Sequence, residues 1–99
     1  MDLSYKVPVL ERPEYTMYLE THQKYNWFHT DIRKWTADIK KQYIEDLNRL
    51  QLELSPFIVA LSREDNTKLV KFGESIGFIY ETTIKGLDNM NHHIYSRSL

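Results

Sequence analysis

Ninety-nine residues make one small domain at about 100–200 residues per domain, and 13 Lys+Arg against 14 Asp+Glu leave a net charge of −1. That balance excludes the bulk basic face that duplex nucleic acid requires. The chain is 41% hydrophobic, 13% aromatic and free of cysteine, so it can build a core but has no disulfide, thiolate zinc site or cysteine nucleophile.

Residues 1–14 contain Pro8, Pro13 and the alternation Tyr5, Val7, Val9, and read as an N-terminal arm or edge strand; 15–99 read as a single domain. From Tyr15 to His22, Met17, Leu19 and Thr21 alternate with Tyr18, Glu20 and His22. From Trp27 to Ile32, Phe28, Thr30 and Ile32 alternate with Trp27, His29 and Asp31. Both segments are predicted strands of one hairpin. Pairing His22 with Trp27 sets Glu20 opposite His29 and Tyr18 opposite Asp31, and keeps the apolar side chains together on the other face.

After Trp35 the period changes. Ile39, Tyr43, Leu47, Leu50 and Leu54 form one helical stripe, with Lys40, Lys41, Glu45, Asp46 and Arg49 off it toward solvent. Thr36 is the expected N-cap, and Ser55-Pro56 the stop. Phe57 to Leu61 is the longest apolar run, too short to span a membrane and expected to be a parallel strand covered on both faces. A second helix spans about Thr67–Ile76, with Leu69, Val70, Phe72 and Ile76 inward and Gly77 in the left-handed position that ends it. Strands from Phe78 to Ile84 and from His92 to Ser98 flank the turn Gly86-Leu87-Asp88-Asn89. The predicted fold class is α+β, a mixed β-sheet in the order β-β-α-β-α-β-β.

Asn66-Thr67-Lys68-Leu69-Val70-Lys71-Phe72-Gly73-Glu74-Ser75-Ile76-Gly77-Phe78 resembles the late motif of the GNAT acyltransferases, in which an Asn opens a short helix and a Gly-Phe pair closes it. The element order from Tyr15 to Ser98 is similar to that family's second half. Asn26-Trp27-Phe28-His29-Thr30 followed by Trp35 resembles its bacteriophage-encoded branch. The resemblance implies a GNAT-like fold truncated on its N-terminal side, without the family's first strand and two helices, and acetyl-CoA as the expected cofactor. The glycine-bearing diphosphate motif of the family falls on Arg33-Lys34-Trp35-Thr36-Ala37-Asp38, where Thr36 and Asp38 stand in place of glycine or alanine. Arg33, Lys34, Thr36 and Asn66 are the implied cofactor-binding residues. The family's thiolate-protonating tyrosine falls on Gly73.

Acyl transfer to an amine needs a base, and Glu20, His22, His29 and Asp31 share one face of the predicted hairpin. Glu20, His29 and Asp31 are the catalytic candidates; a half-exposed sheet also carries such a polar face with no chemistry. No metal site is expected, because no histidine pair has chelating spacing and His92-His93 point to opposite sides of a strand. Ser62 and Ser75 have no local base or nucleophile elbow.

Two readings follow. One is a phage scaffold acting through protein contact, as a virion component or an inhibitor of a host protein. The other is an acetyl-CoA-dependent N-acyltransferase acting on an amine or a protein lysine. Met1-Asp2-Leu3 lacks the basic, then apolar, start of a leader, so the expected location is the host cytoplasm or the virion. A sheet lacking a first strand leaves an edge open, so the expected partner is a second copy or another phage or host protein, contacting residues 1–32.

Overall fold

The computed structural model describes residues 6–99; Tyr5 and the rest of the first five lie outside them. The elements are β1 (Val7–Glu11), β2 (Tyr15–His22), β3 (Tyr25–Ile32), α1 (Ala37–Glu53), β4 (Phe57–Arg63), α2 (Thr67–Ser75), β5 (Ile79–Lys85) and β6 (Asn91–Ser98). They form a six-stranded mixed sheet in the order β1-β2-β3-β4-β6-β5, the α+β class read from the sequence. No helix among the described residues is long and apolar enough to cross a membrane.

The first strand is the edge strand its prolines suggested. It pairs with β2 through a register shift between Pro8 and Leu10, the place where a residue with no N–H to donate interrupts the ladder.

The β2–β3 hairpin is tighter than expected. His22 pairs with Tyr25, Glu20 with Trp27 and Tyr18 with His29, two residues away from the sequence-based register. The cause is the turn: Gln23 and Lys24 both adopt positive φ, 51° and 71°, as a two-residue primed turn requires. An even shift leaves each side chain on its own face, so the polar row survives with different partners.

Thr36 caps α1 as its position implies, its hydroxyl accepting from the Ile39 N–H at 3.1 Å. The helix buries Tyr43, Leu47 and Leu50, but also Asp46 and Gln51, which the periodicity had not placed inside. Asp46 accepts from Arg12 Nε at 2.6 Å and Nη2 at 3.0 Å, and from the Tyr15 hydroxyl at 2.5 Å. Gln51 donates to the Arg97 and Pro56 carbonyls and accepts from the Arg97 guanidinium. Leu54, the last residue of the predicted stripe, is exposed where the helix ends.

Both helices pack on one face of the sheet, around Tyr15, Met17, Phe28, Ile58, Phe78 and Tyr95. Tyr43 of α1 meets Phe72 of α2 edge-on, and Trp35, still 38% exposed, lies against both rings. The other face has no helix among the described residues. Phe57 and Leu61 therefore stand about half-exposed, while Val59 between them is buried, so β4 is covered on its helix face and only at its centre on the other.

Candidate functional site

A single ladder pair, Trp27 with Val59, joins the parallel strands β3 and β4. Beyond it the two strands part, and the gap between them is a cavity of about 210 Å³. Phe28, Thr30, Ala60 and Ser62 flank it, α2 closes one side with Leu69, Val70, Phe72 and Gly73, and Phe78 and Tyr95 form its floor. A second groove of about 450 Å³ continues from it along Thr30, Leu69 and Phe72 to Ile32, Trp35, Asn66 and Lys68. Together they reach the size of ordinary small-molecule sites, about 300–1,000 Å³.

His29 lines the cavity from the helix-free face of the sheet. Its Nε2 lies 2.8 Å from Glu20 Oε1, and the Tyr18 hydroxyl donates to Asp31 Oδ2 at 2.8 Å. The predicted pairs are thus made, but diagonally, because the tighter turn moved the direct partners. With the carboxylate accepting at Nε2–H, the imidazole keeps Nδ1 as an acceptor, the arrangement a proton-abstracting histidine needs. Asp31 bonds to Tyr18 and does not line the cavity.

The ladder closed at His22 and Tyr25 turns the main-chain groups of the even-numbered β3 residues toward β4. The Thr30 N–H therefore faces the gap beyond the last ladder pair, where it can donate to a carbonyl oxygen lying between the strands.

The residues implied for cofactor binding divide into two groups. Asn66 lies on the groove; its Oδ1 caps α2 by accepting from the Leu69 N–H at 3.1 Å, leaving the amide NH₂ to donate. Arg33 turns back instead. Its Nε donates to the Pro13 carbonyl at 3.0 Å and its Nη2 to the Arg12 carbonyl and the Thr16 hydroxyl, pinning the β1–β2 turn. Lys34 is exposed beside it and the Thr36 hydroxyl is engaged in its cap. Asp38 occupies the first turn of α1, where a carboxylate suits the helix dipole but opposes a bound anion. The gap thus fits a slender acyl-pantetheine arm, while the strand-to-helix turn is not built as a diphosphate cradle.

Sequence reading missed Lys68, Thr30 and Ser62, which reach these grooves because the strands part. No local pattern marks that parting. Lys68 carried the one usable signal, a cation two residues past the Asn66 cap.

No family model and no curated protein matches the sequence. Solved structures do match. A Bordetella pertussis protein assigned to the GnaT-family acetyltransferases superposes with TM-score 0.66 at 11% identity, over 86% of this chain and 57% of its own. A Bacillus anthracis protein assigned as a streptothricin acetyltransferase, solved with acetyl coenzyme A, gives 0.65 at 13% identity, over 86% and 55%. The NatC complex bound to Gag peptide and CoA gives 0.63 at 14%, over 88% and 62%. The chain spans little more than half the length of these structures. The sheet order, the parted strands and these superpositions establish that the chain has the GNAT acyltransferase fold.

Proposed function

We propose that the chain takes an acyl-CoA thioester between β3 and β4 and transfers the acyl group to an amine. One observation carries this reading: His29, backed by Glu20 at 2.8 Å, opens into the cavity where the strands part. When bound, the thioester supplies an activated acyl carbon. Phe28, Ala60, Leu69 and Phe72 hold an apolar arm and exclude water from it. The Asn66 amide and the Lys68 ammonium stand along the continuing groove for the polar part of the arm. The Thr30 N–H donates to the acyl carbonyl, and His29 removes the proton of the attacking amine. Glu20 orients the imidazole and stabilises it once protonated.

The test is thiol release from acetyl-CoA in the presence of a primary amine such as Nα-acetyl-lysine amide. The expected result is turnover that His29→Ala removes. A wild-type chain that neither binds acetyl-CoA nor releases thiol overturns the proposal.

A second reading, a phage-encoded scaffold acting by contact with another protein or a second copy, is favoured by specific features. Arg33 is tied to carbonyls, Asp38 puts a carboxylate in the first turn of α1, and the helix-free sheet face exposes Phe57, Leu61 and Ile79. Absence of acetyl-CoA binding together with a dimer in light scattering decides for it.

A further inference from the structure

We propose that Lys6 of the same chain is an acyl acceptor of this site, so that the protein acylates its own N-terminal segment. The inference rests on the acyl-transfer reading above. Lys6 lines the 210 Å³ cavity together with His29, Thr30 and Leu61. Its position follows from the ladder. Val7 pairs with Leu19, so Lys6 stands one residue further out, level with Glu20 and on the same face as Tyr18. Its Nζ lies 5.0 Å from the centre of the Tyr18 ring, within the range of a cation–π contact. The ring thus holds the amine on the helix-free side of the gap, the side from which His29 and Glu20 approach.

The step balances without a further reactant beyond the acyl-CoA thioester. His29 takes a proton from the Lys6 ammonium, freeing the nitrogen lone pair. That pair forms the C–N bond to the acyl carbon, and the C–S bond breaks with its electrons going to sulfur. The acylated nitrogen then loses its second proton; of the two protons released, one ends on the thiolate to give the free thiol and the other passes to solvent. The amide that forms removes the cation from the Tyr18 ring and adds an acyl group at the cavity mouth. An amine of the same chain held at the cavity wall reacts at a high effective concentration, so Lys6 is expected to outpace a remote lysine by at least about tenfold. Lys85 is the reference: it is exposed at the end of β5, the opposite edge of the sheet from β1.

The experiment incubates the purified full chain with isotope-labelled acetyl-CoA and reads each lysine by peptide mass spectrometry. Wild type, Lys6→Arg and His29→Ala are compared at several protein concentrations, with Nα-acetyl-lysine amide as an external amine in parallel. The expected result is label on Lys6 at least about tenfold faster than on Lys85. Its rate per chain is independent of protein concentration and is lost in His29→Ala. Lys6→Arg loses the label but still acetylates the external amine. A second readout needs no turnover: unacylated CoA shields Lys6, and not Lys85, from a general amine-labelling reagent. External amine acetylated while Lys6 labels no faster than Lys85 overturns the inference and leaves acyl transfer standing. A rate that rises with protein concentration overturns the intramolecular step. No acetylation of either amine and no shielding by CoA overturns both.

Discussion

Glu20 and His29 meet across β2 and β3 as diagonal neighbours, with 2.8 Å between Oε1 and Nε2, although the ladder pairs Glu20 with Trp27 and His29 with Tyr18. The contact is partly exposed, at 28% for the glutamate side chain and 39% for the histidine. An ion pair of this exposure contributes only about 0–1 kcal/mol to folding. Its place at the cavity is the stronger reason to look for chemistry in it.

The first prediction separates those roles. His29→Ala lowers acetyl transfer by about 10²–10⁴-fold, the usual range for a general base. Glu20→Gln gives a smaller loss, because it weakens the orientation of the imidazole rather than removing it. Neither moves stability by more than about 1 kcal/mol. Thiol-release kinetics and thermal unfolding of the same preparations check both halves.

A second prediction concerns the network that ties the edge strand to α1. Asp46 is buried and accepts from Arg12 and Tyr15. Burial opposes its charge, but the hydrogen bonds from Arg12 and Tyr15 and the charges of Arg12 and Arg49 outweigh that and hold its carboxyl below the ordinary value. A depressed folded pKa contributes stability that is complete above the unfolded value of about 4 and is lost as pH falls through the folded one. Urea unfolding from about pH 6 down to about pH 2 therefore shows a loss of stability that Asp46→Asn reduces. Asp46→Ala costs on the order of 2 kcal/mol at neutral pH, because it leaves the buried Tyr15 hydroxyl without its acceptor, while Arg12, at 40% exposure, returns to solvent.

How much of this was legible in the sequence depended on the range of the interaction. Local periodicity and cap chemistry located β2, both helices and the cap at Thr36, while Asn66 at the head of α2 came from the family resemblance. Gln23-Lys24 carried no Asn-Gly signature, so a primed turn at two non-glycine residues went unread and the register moved by two. Asp46 and Gln51 flank the apolar stripe as polar residues, one read toward solvent and the other not assigned, since the groups that justify their burial, Arg12 and Arg97, are 34 and 46 residues away. The face carrying Glu20, His29 and Asp31 was readable from alternation alone. The parting of β3 and β4, which makes that face a site, is a property of the sheet and of no single segment.

The third prediction bears on the weak end of the site. Asp38→Asn removes a carboxylate from the first turn of α1 and tightens CoA binding several-fold, more at low salt than at high. The same change slightly destabilises the helix, since the aspartate suits its dipole. Calorimetric titrations of CoA into both proteins at two salt concentrations give the result, and unchanged affinity at both means that no phosphate approaches this helix end.

A fourth follows from the aromatic cluster. The Tyr43 hydroxyl is buried with no well-formed hydrogen bond among the described residues, only a loose approach to Thr30, while its ring packs on Tyr15, Trp35 and Phe72. Tyr43→Phe keeps the packing and removes the unsatisfied group, so it raises stability by about 1 kcal/mol. Denaturant unfolding measures it.

The most direct test of the central claim is a calorimetric titration of acetyl-CoA into the wild-type chain and Gly73→Leu. Gly73 lines the cavity, and a Cβ added there meets only the Phe78 Cβ at 3.8 Å, an ordinary contact. A leucine has room for its Cβ here and is expected to extend into the cavity that Gly73 lines, with helix propensity favouring it over glycine; the circular dichroism of the two chains checks that the fold is kept. Saturable heat is expected with the wild type and none with Gly73→Leu, both chains giving the same circular dichroism. No heat with the wild type, or equal binding by the two, contradicts that claim.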